Sequence, residues 1–154
     1  MEKIRSHVVG IDIGSQRVFT SINGEPVVSH LTFTEDFYKL RDYLLEHKIR
    51  TVAMEATGVY WVILYEILEE AAIDVWLVDG QQTKQVPGRK TDVKDCQWIC
   101  ELHSYGLLNR CLVVDSDIKE YDYPYLYLNS FLYDTTAISS LPKRASPKYL
   151  LLNL

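Results

Sequence analysis

A chain of 154 residues, 47% hydrophobic and 24% charged, is long enough for one domain with a real core and too short for two comfortable ones. The net charge of -5 excludes a generic nucleic-acid coat, whose grip on phosphates would come from surplus Lys and Arg, but not an enzyme with a carboxylate-rich site. No apolar stretch is long enough to span a bilayer, and three cysteines behind an N-terminus without a signal-peptide pattern read as reduced thiols of a cytoplasmic protein with no membrane partner.

His7 to Ser15 alternates as a strand, with Val9, Ile11 and Ile13 on one face and Val8, Gly10, Asp12 and Gly14 on the other. Arg17 to Ile22 alternates again and runs into Asn23-Gly24, the strongest short hairpin signal because both central residues must take positive φ. Pro26 to Phe33 is then the return strand, which makes the opening a three-stranded antiparallel meander. Thr34 is a candidate helix cap, followed by Glu35 and Asp36, with His47 and Lys48 at the far end where the helix dipole favours them. Phe37, Leu40 and Leu44 form that helix's buried stripe.

Thr51 to Ala56 reads as a short apolar strand that delivers Glu55 and breaks at Thr57-Gly58. Tyr60, Ile63, Leu64, Ile67, Leu68 and Ala71 recur at helical steps, and Asp74 to Val78 is a further strand closed by Asp79-Gly80. Gln81 to Lys90 is polar, contains Pro87-Gly88, and reads as a loop. From Thr91 to Leu107 the residues Val93, Cys96, Cys100, His103 and Leu107 mark one helical face. The order implies an α/β fold: a mixed sheet of three antiparallel strands followed by parallel ones, helices on both faces, in the RNase H-like (RuvC-like) arrangement. Residues 5–112 form this domain. Residues 113–154 differ in character, since six of the eleven tyrosines lie beyond position 120 and neither periodicity persists, so a poorly ordered tail is expected.

Asp12 lies mid-strand among apolar and small residues, where an isolated anion is costly to bury without a partner or a metal. Glu55 is the same anomaly on a second strand. Asp92 and Asp95, three apart, fall on one side of the expected helix. Each taken singly has an ordinary explanation in a turn, an edge or a helix cap. Together, four converging acids would repel one another strongly unless divalent cations, about 4 Å apart in two-metal sites, lay between them. Oxygen-only ligands favour Mg²⁺ or Mn²⁺ over zinc.

His7 to Ser15 (HVVGIDIGS), Met54 to Trp61 (MEATGVYW) and Leu77 to Cys100 (LVDGQQTKQVPGRKTDVKDCQWIC) resemble the N-terminal domain of the DEDD transposases of bacterial insertion sequences, a group that includes Piv-type DNA invertases. The resemblance covers roughly residues 5–112. It implies that Asp12, Glu55, Asp92 and Asp95 match the family's metal-binding tetrad, that DNA is the substrate, and that a structured RNA from the element is a partner. A second copy or a full-length transposase is a further expected partner. Family members continue into a helical stretch and a second domain with a nucleophilic serine, and residues 113–154 resemble neither. A truncated or frameshifted copy is therefore expected, with a catalytically inactive, nucleic-acid-binding remnant or regulator as the alternative.

Lys84, Arg89, Lys90 and Lys94 form a small basic segment beside the acids, a candidate phosphate grip whose ordinary reading is a solvated loop. Gly10 to Ser15 also resembles the first phosphate loop of the actin, sugar-kinase and Hsp70 group, but the related second domain has no room here. Cys96, Cys100 and His103 could suggest zinc, although their spacing places them on a buried apolar face with Val93 and Leu107. Tyr60 and Trp61 could stack on bases, with Tyr60 fitting the buried stripe and Trp61 at its edge.

Overall fold

The computed structural model describes residues 1–56, 60–88, 94–115 and 149–152, with residues 112–115 and 149–152 as backbone. Strands β1 (Val8–Ile13), β2 (Arg17–Ile22) and β3 (Val28–Leu31) are followed by helix α1 (Thr34–Glu46), β4 (Thr51–Glu55), α2 (Trp61–Glu70) and β5 (Asp74–Val78). Helices α3 (Gly80–Gln85) and α4 (Asp95–Ser104) come next, then β6 (Leu112–Asp115) and β7 (Tyr149–Leu152). The first five strands form one sheet in the order β3-β2-β1-β4-β5. β1 pairs antiparallel with β2, and β2 with β3, whereas β4 runs parallel to β1 and β5 parallel to β4. This is the RNase H-like arrangement that the order of elements implied.

The meander turns where the sequence marked it. Asn23 at φ 52° and Gly24 at φ 84° supply the two positive φ angles of a type I′ turn. Val8 N–H donates to Asn23 Oδ1 at 3.0 Å, and Asn23 N–H returns a bond to Val8 O at 2.8 Å, which locks the turn to the start of β1.

One sheet face carries the larger core. Val9, Ile11, Val18, Val52 and Met54 meet Phe37, Leu40 and Leu44 of α1 and Trp61, Leu64 and Leu68 of α2. The opposite face packs Ala53 and Val78 against Trp98, Ile99 and Leu102 of α4. Central strands buried on both sides explain why β4 reads as a continuous apolar run, broken only by its last residue.

Several boundaries differ from expectation. Thr34 is the first residue of α1, and Phe33 holds the cap position in extended geometry without a side-chain bond. The polar stretch read as a loop from Gln81 contains α3, because the Asp79 carboxylate accepts from Gln81 N–H at 2.9 Å and starts a turn that hydrophobic periodicity does not reveal. α4 begins at Asp95, since Lys94 is extended, and it ends before Leu107. Gly106 at φ 69° closes it, leaving Leu107 40% exposed rather than on the buried face. Within the segment expected to be unpatterned, β7 pairs antiparallel with β6, Leu112 opposite Leu152. At the far end of α4, Ile4 and Arg5 N–H both donate to Ser104 O, at 2.9 and 3.1 Å, and the Arg5 guanidinium lies 4.6 Å from the Trp76 ring centre.

Candidate metal centre

The two central strands end side by side. Ile11 of β1 pairs with Met54 of β4, so the next residue along each strand is a carboxylate, Asp12 on one and Glu55 on the other. Ile11 and Met54 point into the α1–α2 core, so alternation turns Asp12 and Glu55 to the α4 face, where both are half-buried.

Glu55 sits in a pocket that sequence reasoning missed. A Cβ on Gly80 would meet Glu55 Oε1 and approach its Cδ to 2.9 Å, so the glycine at the start of α3 leaves room for the carboxylate where it lies. Thr83, 6% exposed, donates to Gly80 O at 2.9 Å and lies 3.4 Å from Glu55 Oε2. Trp98 Nε1–H donates to Thr83 O at 2.8 Å, which ties α3 to α4 across the end of the sheet. The available signal was Asp79 followed four residues later by Thr83, a capped turn with an inward hydroxyl.

Helix α4 lies on β1 through Gly10. A Cβ there would run into Cys96 O and Cys100 N and come within 2.9 Å of Cys100 Cα. That close approach brings the first residue of α4, the exposed Asp95, over the face that carries Asp12 two residues further along β1. Asp12 also acts on Cys96. Burial first, and the Asp12 charge second, push the Cys96 thiol up to about 11, so it stays protonated at neutral pH. Asp92 lies outside the described residues, and so does its expected place on one helical side with Asp95. Among the described residues no three His, Cys, Asp or Glu side chains are close enough to hold a metal ion. The candidate donors among the described residues, Asp12, Glu55 and Asp95, are carboxylates throughout. The neighbouring sulfur is held as a thiol, so the set suits a hard divalent cation in kind.

Of the basic segment, Lys84 in the last turn of α3 and Lys94 at the start of α4 are exposed, while Arg89 and Lys90 lie outside the described residues. Cys96, Cys100 and His103 are buried as their spacing implied, at 0%, 1% and 0% exposure, and Cys100 Sγ points at Val8 O, 3.5 Å away. The phosphate-loop resemblance at Gly10 fails on access, because α4 covers that glycine. The expected roles of Tyr60 and Trp61 exchange. Trp61 is 5% exposed and edge-on to Tyr65, so it is core rather than a stacking surface, and Tyr60 is half-buried against the same cluster.

Comparison with known proteins adds a family. No curated protein matches the chain. Among solved structures, T. thermophilus RuvC in complex with Holliday junction substrate aligns at a TM-score of 0.49 and 12% identity, covering 69% of this chain and 99% of that one. The model of the DEDD transposases of the IS110 type, described as Transposase, matches residues 9–121, a span that contains all four candidate carboxylates. The chain belongs to the IS110 family of DEDD transposases.

Proposed function

We propose that this chain is the strand-cleaving domain of a transposase, with Asp12, Glu55, Asp92 and Asp95 holding Mg²⁺ or Mn²⁺ against a DNA phosphodiester. The observation that supports it is the placement of Asp12 and Glu55 in step at the ends of adjacent central strands, under a helix that opens with Asp95. A bound divalent ion supplies Lewis-acid polarisation of the phosphodiester. The chain's own residues do the rest. Asp12 and Glu55 bind from the sheet, Asp95 from α4, and Thr83 orients the Glu55 carboxylate. Asp92 joins them by family resemblance. Lys84 and Lys94 flank the site as exposed cations, and with Arg89 and Lys90 they are suited to phosphate contacts that position DNA without reading its sequence. Family membership also makes a structured RNA of the element and a second copy of the chain candidate partners.

The test is cleavage of supercoiled plasmid and of branched oligonucleotide duplexes with Mg²⁺, Mn²⁺ or chelator present. Cleavage by the wild-type chain that needs the metal and vanishes in Asp12→Asn is the expected result. Cleavage that survives Asp12→Asn sinks the site. DNA binding without cleavage by the wild-type chain would replace the nuclease reading with that of a binding remnant or regulator.

A further inference from the structure

Among the described residues, the sheet beside Asp12 is left open. Phe19 of β2 is the direct cross-strand partner of Asp12, Ser29 of β3 lies opposite Phe19, and Leu31 lies opposite Arg17. Directly opposed residues of antiparallel strands project to one side, so Arg17, Phe19 and Leu31 share the face of Asp12. Helix α4 packs on this face at the hairpin end, on Gly10 and beside its cross-strand partner Ser21, which is 0% exposed. At the Asp12 end Phe19 is 38% and Leu31 40% exposed, while Val18 and Thr20 on the reverse of the same strand are sealed.

We propose that this stretch is a docking platform for an unpaired DNA strand, with Phe19 stacking on a base and Arg17 gripping a phosphate. The inference rests on the nuclease reading above for its orientation: a strand laid across Phe19 passes beside Asp12. Charge supports it. The Arg17 guanidinium is fixed by Ser29 Oγ, at 2.8 Å from Nη2 and 3.3 Å from Nε, so it is held in place by a neutral hydroxyl and keeps its positive charge. Arg17 lies two residues along β2 from Phe19, about 7 Å, a spacing that lets one strand touch both. Area argues against a protein in the same place. A stable protein interface needs about 800 Å² from each partner, and two half-open apolar side chains around a guanidinium fall far short. A base on an aromatic ring plus one phosphate contact needs no more than this.

The test is fluorescence anisotropy of the full chain with a labelled single-stranded DNA oligonucleotide, without divalent metal, over a salt series. Arg17→Gln, which can keep a bond to Ser29, is expected to weaken binding about tenfold and lower the salt slope by about 0.7. Phe19→Leu, close in volume but without a ring face, is expected to weaken binding at least about fivefold at unchanged slope, and Phe19→Tyr is expected to bind like the wild type. Unchanged affinity in Arg17→Gln and Phe19→Leu overturns the platform, as does a wild-type chain that fails to bind DNA. Tighter binding of the same sequence as RNA overturns the assignment to DNA. Loss of self-association in Phe19→Leu, with DNA affinity intact, overturns it in favour of a second copy. Cleavage separates the two readings. A chain that binds through Arg17 and Phe19 yet never cleaves keeps the platform and loses the nuclease. One that cleaves but ignores both substitutions loses the platform alone.

Discussion

Thr83 and His103 show what single side chains contribute here. Thr83 is buried, donates to Gly80 O within α3 and lies 3.4 Å from Glu55 Oε2, so its hydroxyl both ties the turn and borders the carboxylate. Thr83→Val keeps the shape and removes the donor. A loss of about 1 kcal/mol is expected in stability, and a larger, severalfold loss in metal-dependent cleavage, with Thr83→Ser restoring activity. Equal activity in Thr83→Val and the wild type would show that the hydroxyl is only structural. His103 is fully buried, its Nε2 2.9 Å from Thr51 Oγ1 and its Nδ1 without a hydrogen-bond partner among the described residues. Burial first, then the Arg5 cation, pulls its pKa down from 6.5 to about 4, with Asp74 opposing and Arg110 assisting. The folded chain therefore keeps it neutral where the unfolded chain takes a proton. Its stabilising share is intact above pH 6.5 and falls away toward about pH 4, at up to about 1.4 kcal/mol per pH unit. Urea midpoints should drop between neutral and mildly acidic pH, and drop less in His103→Gln. Asp12 and Glu55 were legible because each is an acid in an apolar strand. Thr83 and Gly80 were not, because a buried hydroxyl in a polar stretch looks like loop chemistry.

At the level of elements, the close fit of α4 on β1 decides where the site forms. Gly10 admits the α4 backbone, and every atom that a Cβ would meet there is backbone, which cannot swing aside. Gly10→Ala is expected to cost about 3 kcal/mol or more, or to lift α4 away and carry Asp95 with it. Chemical denaturation measures the first outcome, and loss of cleavage in a chain that remains folded reveals the second. A substitution with neither effect would mean that α4 is not seated where the structure has it. The elements that carry period were readable: β1 and β2 by alternation, α1 and α2 by their apolar stripes, and the hairpin by Asn23-Gly24. α3 escaped because six polar residues held by one capping carboxylate carry no stripe. α4 begins at Asp95 because Lys94 is extended at its cap, and Val93, which continues the Cys96 and Cys100 pattern, lies outside the described residues.

For the whole molecule, the proposed metal binding would be coupled to folding. Asp12, Glu55 and Asp95 are distant in sequence, and only the parallel pairing of β1 with β4 and the docking of α4 bring them to one face of the sheet. An unfolded chain offers no such arrangement, so a cation held there as proposed would bind the native state selectively and stabilise it by mass action. At a hundredfold excess over its dissociation constant the gain is about 2.7 kcal/mol. For a chain of this length that corresponds to a rise in melting temperature of about 5 °C or more. Mg²⁺ should therefore raise the melting temperature along a titration, while NaCl at matched ionic strength should not, because screening alone does not fill a site. Asp12→Asn removes one of the proposed ligands. In that variant the Mg²⁺-dependent rise should shrink or vanish. A rise equal in Asp12→Asn and the wild type would place the cation elsewhere on a chain of net charge -5, and the carboxylates at the ends of β1 and β4 would lose their claim to it.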